Sequence, residues 1–147
     1  LEIYNRPRNR FVAGFIGAPP MNFLPVELKT IDDRLCAVAE NFCIRVPQDR
    51  VELLKRHNKP RLELGIRPEH VVMGEPRPEI GTGFDGNVEV TEQLGAELLV
   101  GVRVGGASIL ASRVDAETTL APHQSLRLSL DPRGLHFFDP DGGEAIR

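Results

Sequence analysis

The sequence predicts a small, mainly β domain: an OB-like barrel with a short N-terminal helix and one further short helix. Three observations carry this. Many short runs alternate apolar and polar residues, the period of half-buried strands. Turn residues recur every eight to twelve positions, as in small barrels. Only two stretches carry apolar residues at helical spacing. The chain has 147 residues, 41% of them hydrophobic. A chain of this length can bury roughly 70% of its unfolded surface, enough for one domain.

Residues 7 to 17 read as the first helix. Pro7 suits an early helical position, Asn5 can cap it, and Phe11, Val12, Phe15 and Ile16 form one apolar stripe. Gly17 ends it, and Ala18-Pro19-Pro20 enforces an extended exit. Met21 to Lys29 reads as a strand, with Pro25 marking an edge or a bulge. Asp32-Asp33 is a turn, and Leu35–Ala39 with Phe42–Val46 reads as a hairpin. Asp49 to His57 reads as the second helix, with Val51 and Leu54 on one face.

Arg61-Leu62-Glu63-Leu64 then alternates into Gly65-Ile66-Arg67-Pro68-Glu69-His70. Gly65 lets another backbone come close. Pro68 cannot donate to a ladder and holds Arg67 extended, so pairing stops there. Arg67, Pro68 and Glu69 are therefore read as a structural corner, with Arg67 and Glu69 pairing to neighbours. Gly74 to Gly86 reads as a loop. Asn87 to Leu94 reads as a strand with Val88, Val90 and Leu94 facing in. Leu98 to Val104 is a buried strand that bends at Gly101. Ser108 to Val114 and the alternating Leu126, Leu128 and Leu130 give two more strands. Asp131-Pro132-Arg133-Gly134 is a turn with type I chemistry, Leu135 to Phe138 a last strand, and Asp141-Gly142-Gly143 the start of a loose tail.

Several functions are disfavoured. The net charge is −3 and aromatic residues are 5% of the chain, so neither a basic face nor a stacking platform for nucleic acid is expected. No run of about 18 apolar residues exists to span a bilayer. The two cysteines, Cys36 and Cys43, sit in apolar runs and read as small buried hydrophobes. Gly81-Thr82-Gly83-Phe84-Asp85-Gly86 matches G-x-G-x-x-G, but a Pro-rich loop precedes it and a strand follows, the wrong setting for a pyrophosphate. No G-x-x-x-x-G-K-[ST] occurs. His57, His70, His123 and His136 lack metal-ligand spacing. Asp32-Asp33 and Asp139-Pro140-Asp141 read as solvated turns. No residue set declares a catalytic, cofactor or metal site. Gly105-Gly106-Ala107-Ser108 offers part of an oxyanion cluster.

Tyr4-Asn5-Arg6-Pro7, Arg10 to Gly17, Met21-Asn22-Phe23-Leu24, Leu64 to His70, and Val90-Thr91-Glu92-Gln93-Leu94-Gly95 occur in this order. The series, spanning residues 1 to 140, resembles the C-terminal regulatory part of ATP-binding subunits of carbohydrate-type ABC importers. That group serves maltose, other sugars, polyols and glycerol 3-phosphate. The resemblance implies a single OB-like domain of TOBE type, a fragment whose ATPase domain, with ATP and Mg, lies upstream. It implies a homodimer on the cytoplasmic face of the inner membrane, coupled to permease subunits through the ATPase domain. It also implies a receiver for regulators such as sugar-phosphotransferase proteins, with no nucleic-acid partner. Positions matching the family's regulatory surface are Arg10, Phe23, Gly65, Gly86 and Glu92. The stretch from Arg50 to Leu62 departs from the family pattern. Two other readings stand beside this one: a small-ligand sensor for an oxyanion or solute, and an OB-fold binding single-stranded nucleic acid.

Overall fold

The computed structural model describes residues 20–40, 42–74, 83–105 and 108–147. In chain order, the first half holds β1 (Asn22–Ile31), β2 (Arg34–Ala39), β3 (Phe42–Arg45), the helix α1 (Gln48–His57) and β4 (Arg61–Ile66). A 3-10 turn, Pro68–His70, leads into β5 (Val71–Met73). Then come β6 (Phe84–Leu94), β7 (Glu97–Val104), β8 (Ser108–Asp115), β9 (Ser125–Leu130), a second 3-10 turn at Pro132–Gly134, and β10 (His136–Phe138). The helix expected over residues 7 to 17 lies outside the described residues.

Local chemistry explains the joints. Asp32 and Asp33 take φ of 51° and 62°, so a two-residue turn joins β1 to β2 with the twist that hairpins favour. Gly95, at φ 62°, turns β6 into β7. In α1, Leu54 is buried as the anchor of the apolar face, while Val51 and Leu53 pack beside it. Asp49 in its first turn and Lys55, Arg56 and His57 in its last complement the helix dipole. Asn58 ends it in the left-handed region, its amide donating to the Leu54 carbonyl at 3.2 Å.

The strands form two antiparallel five-stranded sheets, ordered β10-β4-β1-β2-β3 and β5-β9-β6-β7-β8. The expected barrel is therefore corrected: neither sheet closes on itself. In the second sheet β8 pairs with β7 and β5 with β9, and the two edges meet through side chains instead of a ladder. The Ser112 hydroxyl on β8 donates to the Val71 carbonyl on β5 at 2.6 Å. The first sheet docks on the same edge. Asn22 donates from Nδ2 to the Ala111 carbonyl at 2.9 Å and accepts from the Ala111 amide at 2.8 Å. One side-chain amide thus satisfies a backbone donor and acceptor that a paired strand would otherwise take.

The inner faces of both sheets meet in one apolar cluster. Leu24, Val26, Leu62 and Leu64 from the first sheet join Val100, Val102, Leu110 and Leu128 from the second. Phe42 and Phe84 stack across the cluster at 4.5 Å and 25°. Met21 and Phe138 form a smaller cluster with Phe23 packed on it.

Two further expectations change. Val90 was expected inside but is 60% exposed, and Leu94 is exposed too. The register shifts between Val88 and Val90, so a bulge flips the face of every later side chain on β6. The tail is tied down rather than loose: Phe138 pairs with Ala145, the Ile146 amide donates to the Phe137 carbonyl at 2.9 Å, and Ile146 is buried.

Candidate regulatory surface and the polar corner beside it

The corner after β4 forms as its residues dictate. Arg67 is extended and only 1% exposed, and Pro68 opens the 3-10 turn. The His70 amide donates to the Arg67 carbonyl, and the Asp131 amide donates to the His70 carbonyl, each at 2.9 Å. The second 3-10 turn is thereby pinned to the first. Asp131 caps that second turn by accepting from the Arg133 amide at 3.0 Å, and the Arg133 guanidinium holds its carboxyl below the usual range. Gly134 lies flat against the His70 ring, and a Cβ there would overlap it. His136 is half-buried nearby. Burial first, then the positive charges of Arg50, Arg67 and His70, push its pKa down to about 4.

A second polar knot ties the end of α1 to the tail. Asp139 accepts from Lys59 Nζ at 2.7 Å and from the Asp141 amide at 2.8 Å, and lies 2.9 Å from His57 Nε2. The Lys59 hydrogen bond leads in lowering its pKa to about 2. Asp139 is buried, which corrects its reading as part of a solvated turn. The distant partners His57 and Lys59 gave no local signal that could reveal this.

Among the described residues, the positions singled out from the sequence lie on both sheets, Phe23 and Gly65 on the first and Gly86 and Glu92 on the second. Phe23 on β1 pairs in register with Gly65 on β4, and its ring meets Phe138 edge-on at 5.7 Å. A Cβ at Gly65 would lie 2.6 Å from Met21 Sδ and 2.7 Å from a Phe138 ring carbon. Gly86 sits on β6, where a Cβ would lie 2.5 Å from a Val102 methyl. Packing accounts for these three. Glu92 is exposed beyond the bulge on β6. Arg10 lies outside the described residues. Glu69 is half-buried within the corner. The oxyanion candidate keeps only Gly105 and Ser108 among the described residues, and Phe84 to Gly86 of the G-x-G-x-x-G match lie on a strand.

An open groove of about 830 Å³ lies along β1, the end of β2 and β4, with Lys59, Pro60, Pro140 and Asp141 at its side. Pro25 and Glu63 pair across its floor, with Glu27 and Val38 beside them. Pro25 lies past the last β1–β2 pair, so this stretch of a central strand is locally an edge, as the proline required. Among the described residues, the groove lining holds no aromatic ring and no Ser, Cys or His nucleophile. Among the described residues no group of three or more His, Cys, Asp or Glu is placed to hold a metal. No described helix is long and apolar enough to cross a membrane.

Two family models match the chain: the MalK OB fold domain over residues 17–71 and the TOBE domain over residues 64–138. Among curated relatives, the multiple sugar-binding transport ATP-binding protein MsmK of Streptococcus mutans is 36% identical over 152 residues, covering 99% of this chain and 39% of that protein. The sn-glycerol-3-phosphate import ATP-binding protein UgpC of Ruegeria sp. is 34% identical over 147 residues, covering 99% of this chain and 37% of that protein. The chain thus spans under two fifths of the length of these two relatives. Among solved structures, the cytoplasmic molybdate-binding protein ModG superposes with a TM-score of 0.64 over 81% of this chain and 96% of its own, at 12% identity, a likeness of fold. The matched regions are OB-fold and TOBE domains, with no phosphate-loop motif in the sequence. The chain belongs to the TOBE-domain family, in the group found in sugar and glycerol-3-phosphate import ATP-binding proteins.

Proposed function

We propose that this chain is the regulatory and dimerisation domain of the ATP-binding subunit of an ABC importer for sugars, polyols or glycerol 3-phosphate. The observation that carries this is the pair of adjoining family matches, OB fold then TOBE, over residues 17–138. In this reading residues 1–147 are one domain with no chemistry of its own. An attached ATPase domain holds ATP and Mg and engages the permease at the cytoplasmic face of the membrane. For the contact with a second copy we propose the outer face of the second sheet. There Val90 and Ile109 are 60% and 46% exposed, and both lie over Gly101, whose missing side chain leaves them a shared shelf. For regulator contact we propose Glu92, exposed among the described members of its set, together with Arg10. Sedimentation over a concentration series tests the reading. Self-association that Val90→Asp weakens is expected, and a strict monomer at every concentration would count against it. The competing oxyanion-sensor reading is suggested by the fold shared with molybdate-binding ModG. It predicts a calorimetric response to molybdate or sulfate, and a flat trace removes it.

A further inference from the structure

Between α1, β10 and the closing segment 145–147 lies a cleft of about 340 Å³. Its charged lining is Asp49, Arg50, Glu52, Arg56 and Arg147, with the neutral His136 beside them. Its apolar walls are Leu53, Phe137, Ala145 and Ile146. Asp49 and Glu52 are exposed, and so are Arg56 and Arg147. Arg50 is half-buried; its backbone amide donates to the Pro47 carbonyl at 2.9 Å, while among the described residues its guanidinium has no hydrogen-bond or ion-pair partner. A guanidinium withdrawn from water without a counter-ion is costly, and its planar fork matches two oxygens of one anion. The surroundings reinforce the sign. Burial first, and then Arg50, the fully buried Arg67 and His70, hold His136 neutral well below its ordinary range. The space is within the size of small-ligand sites, and its walls suit a short carbon body. The cleft is built on α1, which lies inside the OB-fold match over residues 17–71, so the stretch from Arg50 to Leu62 does not depart from the family as expected.

We propose that this cleft binds a small phosphate monoester, the phosphoryl group on Arg50 with Arg56 and Arg147 around it and the organic body against Leu53, Phe137 and Ile146. The site is independent of self-association and of the Gly105–Ser108 loop. Calorimetric titration of the 147-residue chain with glycerol 2-phosphate and with inorganic phosphate, at matched ionic strength, tests it. The ester is expected to saturate with a Kd on the order of 1 mM or tighter. Arg50→Gln is expected to weaken it at least about tenfold, the loss of one charge-assisted bidentate contact. Arg113→Gln, on the second sheet, leaves it unchanged. Thermal melts establish that each variant is folded. In the unmodified chain the His136 ring resonances shift as the ester saturates, a readout that needs no variant. Failure of the ester to saturate by about 10 mM, or equal affinity in folded Arg50→Gln, overturns the site. Inorganic phosphate binding as tightly as the ester overturns the role given to the apolar walls.

Discussion

His136 shows how one side chain records its surroundings. Its folded pKa of about 4 lies below the ordinary 6.5, so the folded chain refuses a proton that the unfolded chain binds between those values. Stability therefore rises with pH across that window and is fully present above 6.5. The contribution is roughly 2–3 kcal/mol after allowing for residual solvent contact. Denaturant unfolding at pH 4.5 and 7 checks it; His136→Gln should flatten the difference, and an unchanged pH dependence would refute it. Gly134→Ala forces a methyl onto the His70 ring at the neighbouring turn. A loss of about 1–3 kcal/mol is expected, the usual cost of overpacking, and a melt within error of the parent would mean the ring can move aside. The need for glycine at 65 was legible, since a glycine inside an alternating strand announces a close neighbour. What approaches is not backbone but the Met21 thioether and the Phe138 ring, which come from elsewhere in the chain and leave no local trace.

At the scale of elements, turn chemistry was the readable part. Asp32-Asp33 and Asp131-Pro132-Arg133-Gly134 sit at the joints where their backbone preferences put them, and α1 starts one residue before its expected span. The failures share a cause. Val90 was placed by strict alternation, and one extra residue at the bulge inverts that alternation. The tail was read as loose because its glycines and acids look solvated, yet Asp139 and Ile146 are buried by partners far away in sequence. Asn22 belongs with these: nothing around it announces that its amide stands in for a strand at Ala111. Asn22→Ala removes two part-buried hydrogen bonds and strands the Ala111 backbone groups, so a loss of about 1–3 kcal/mol is expected. Asn22→Asp keeps an acceptor for the amide but faces the carbonyl with a second acceptor, and should recover little. Chemical denaturation of both variants decides this, and a loss below about 0.5 kcal/mol would mean the edge finds other partners.

For the whole molecule, the class, mainly β with a short helix, was legible from periodicity, but the closure was not. A barrel and two facing sheets use the same strands, and they differ in which edges pair, a matter of contacts distant in sequence. Here the edges of the second sheet meet through Ser112, and the first sheet docks through Asn22, so two open sheets share a single core. That core argues for one cooperative unit. Leu62 and Leu64 of β4 pack in the same cluster as Val100 and Val102 of β7. The buried Pro68 corner carries the chain from β4 straight into β5, leaving no linker between the sheets. Opening one sheet alone would expose the inner face of the other, at roughly 25 cal/mol for each Å² of apolar surface. Native-state hydrogen exchange should therefore find the Leu64 and Val102 amides opening with the same free energy and the same denaturant dependence. If the β1–β4 amides opened several kcal/mol more easily than those of β6 and β7, the sheets would be separate folding units. Asn22 and Ser112 would then be contacts between two bodies rather than seams within one.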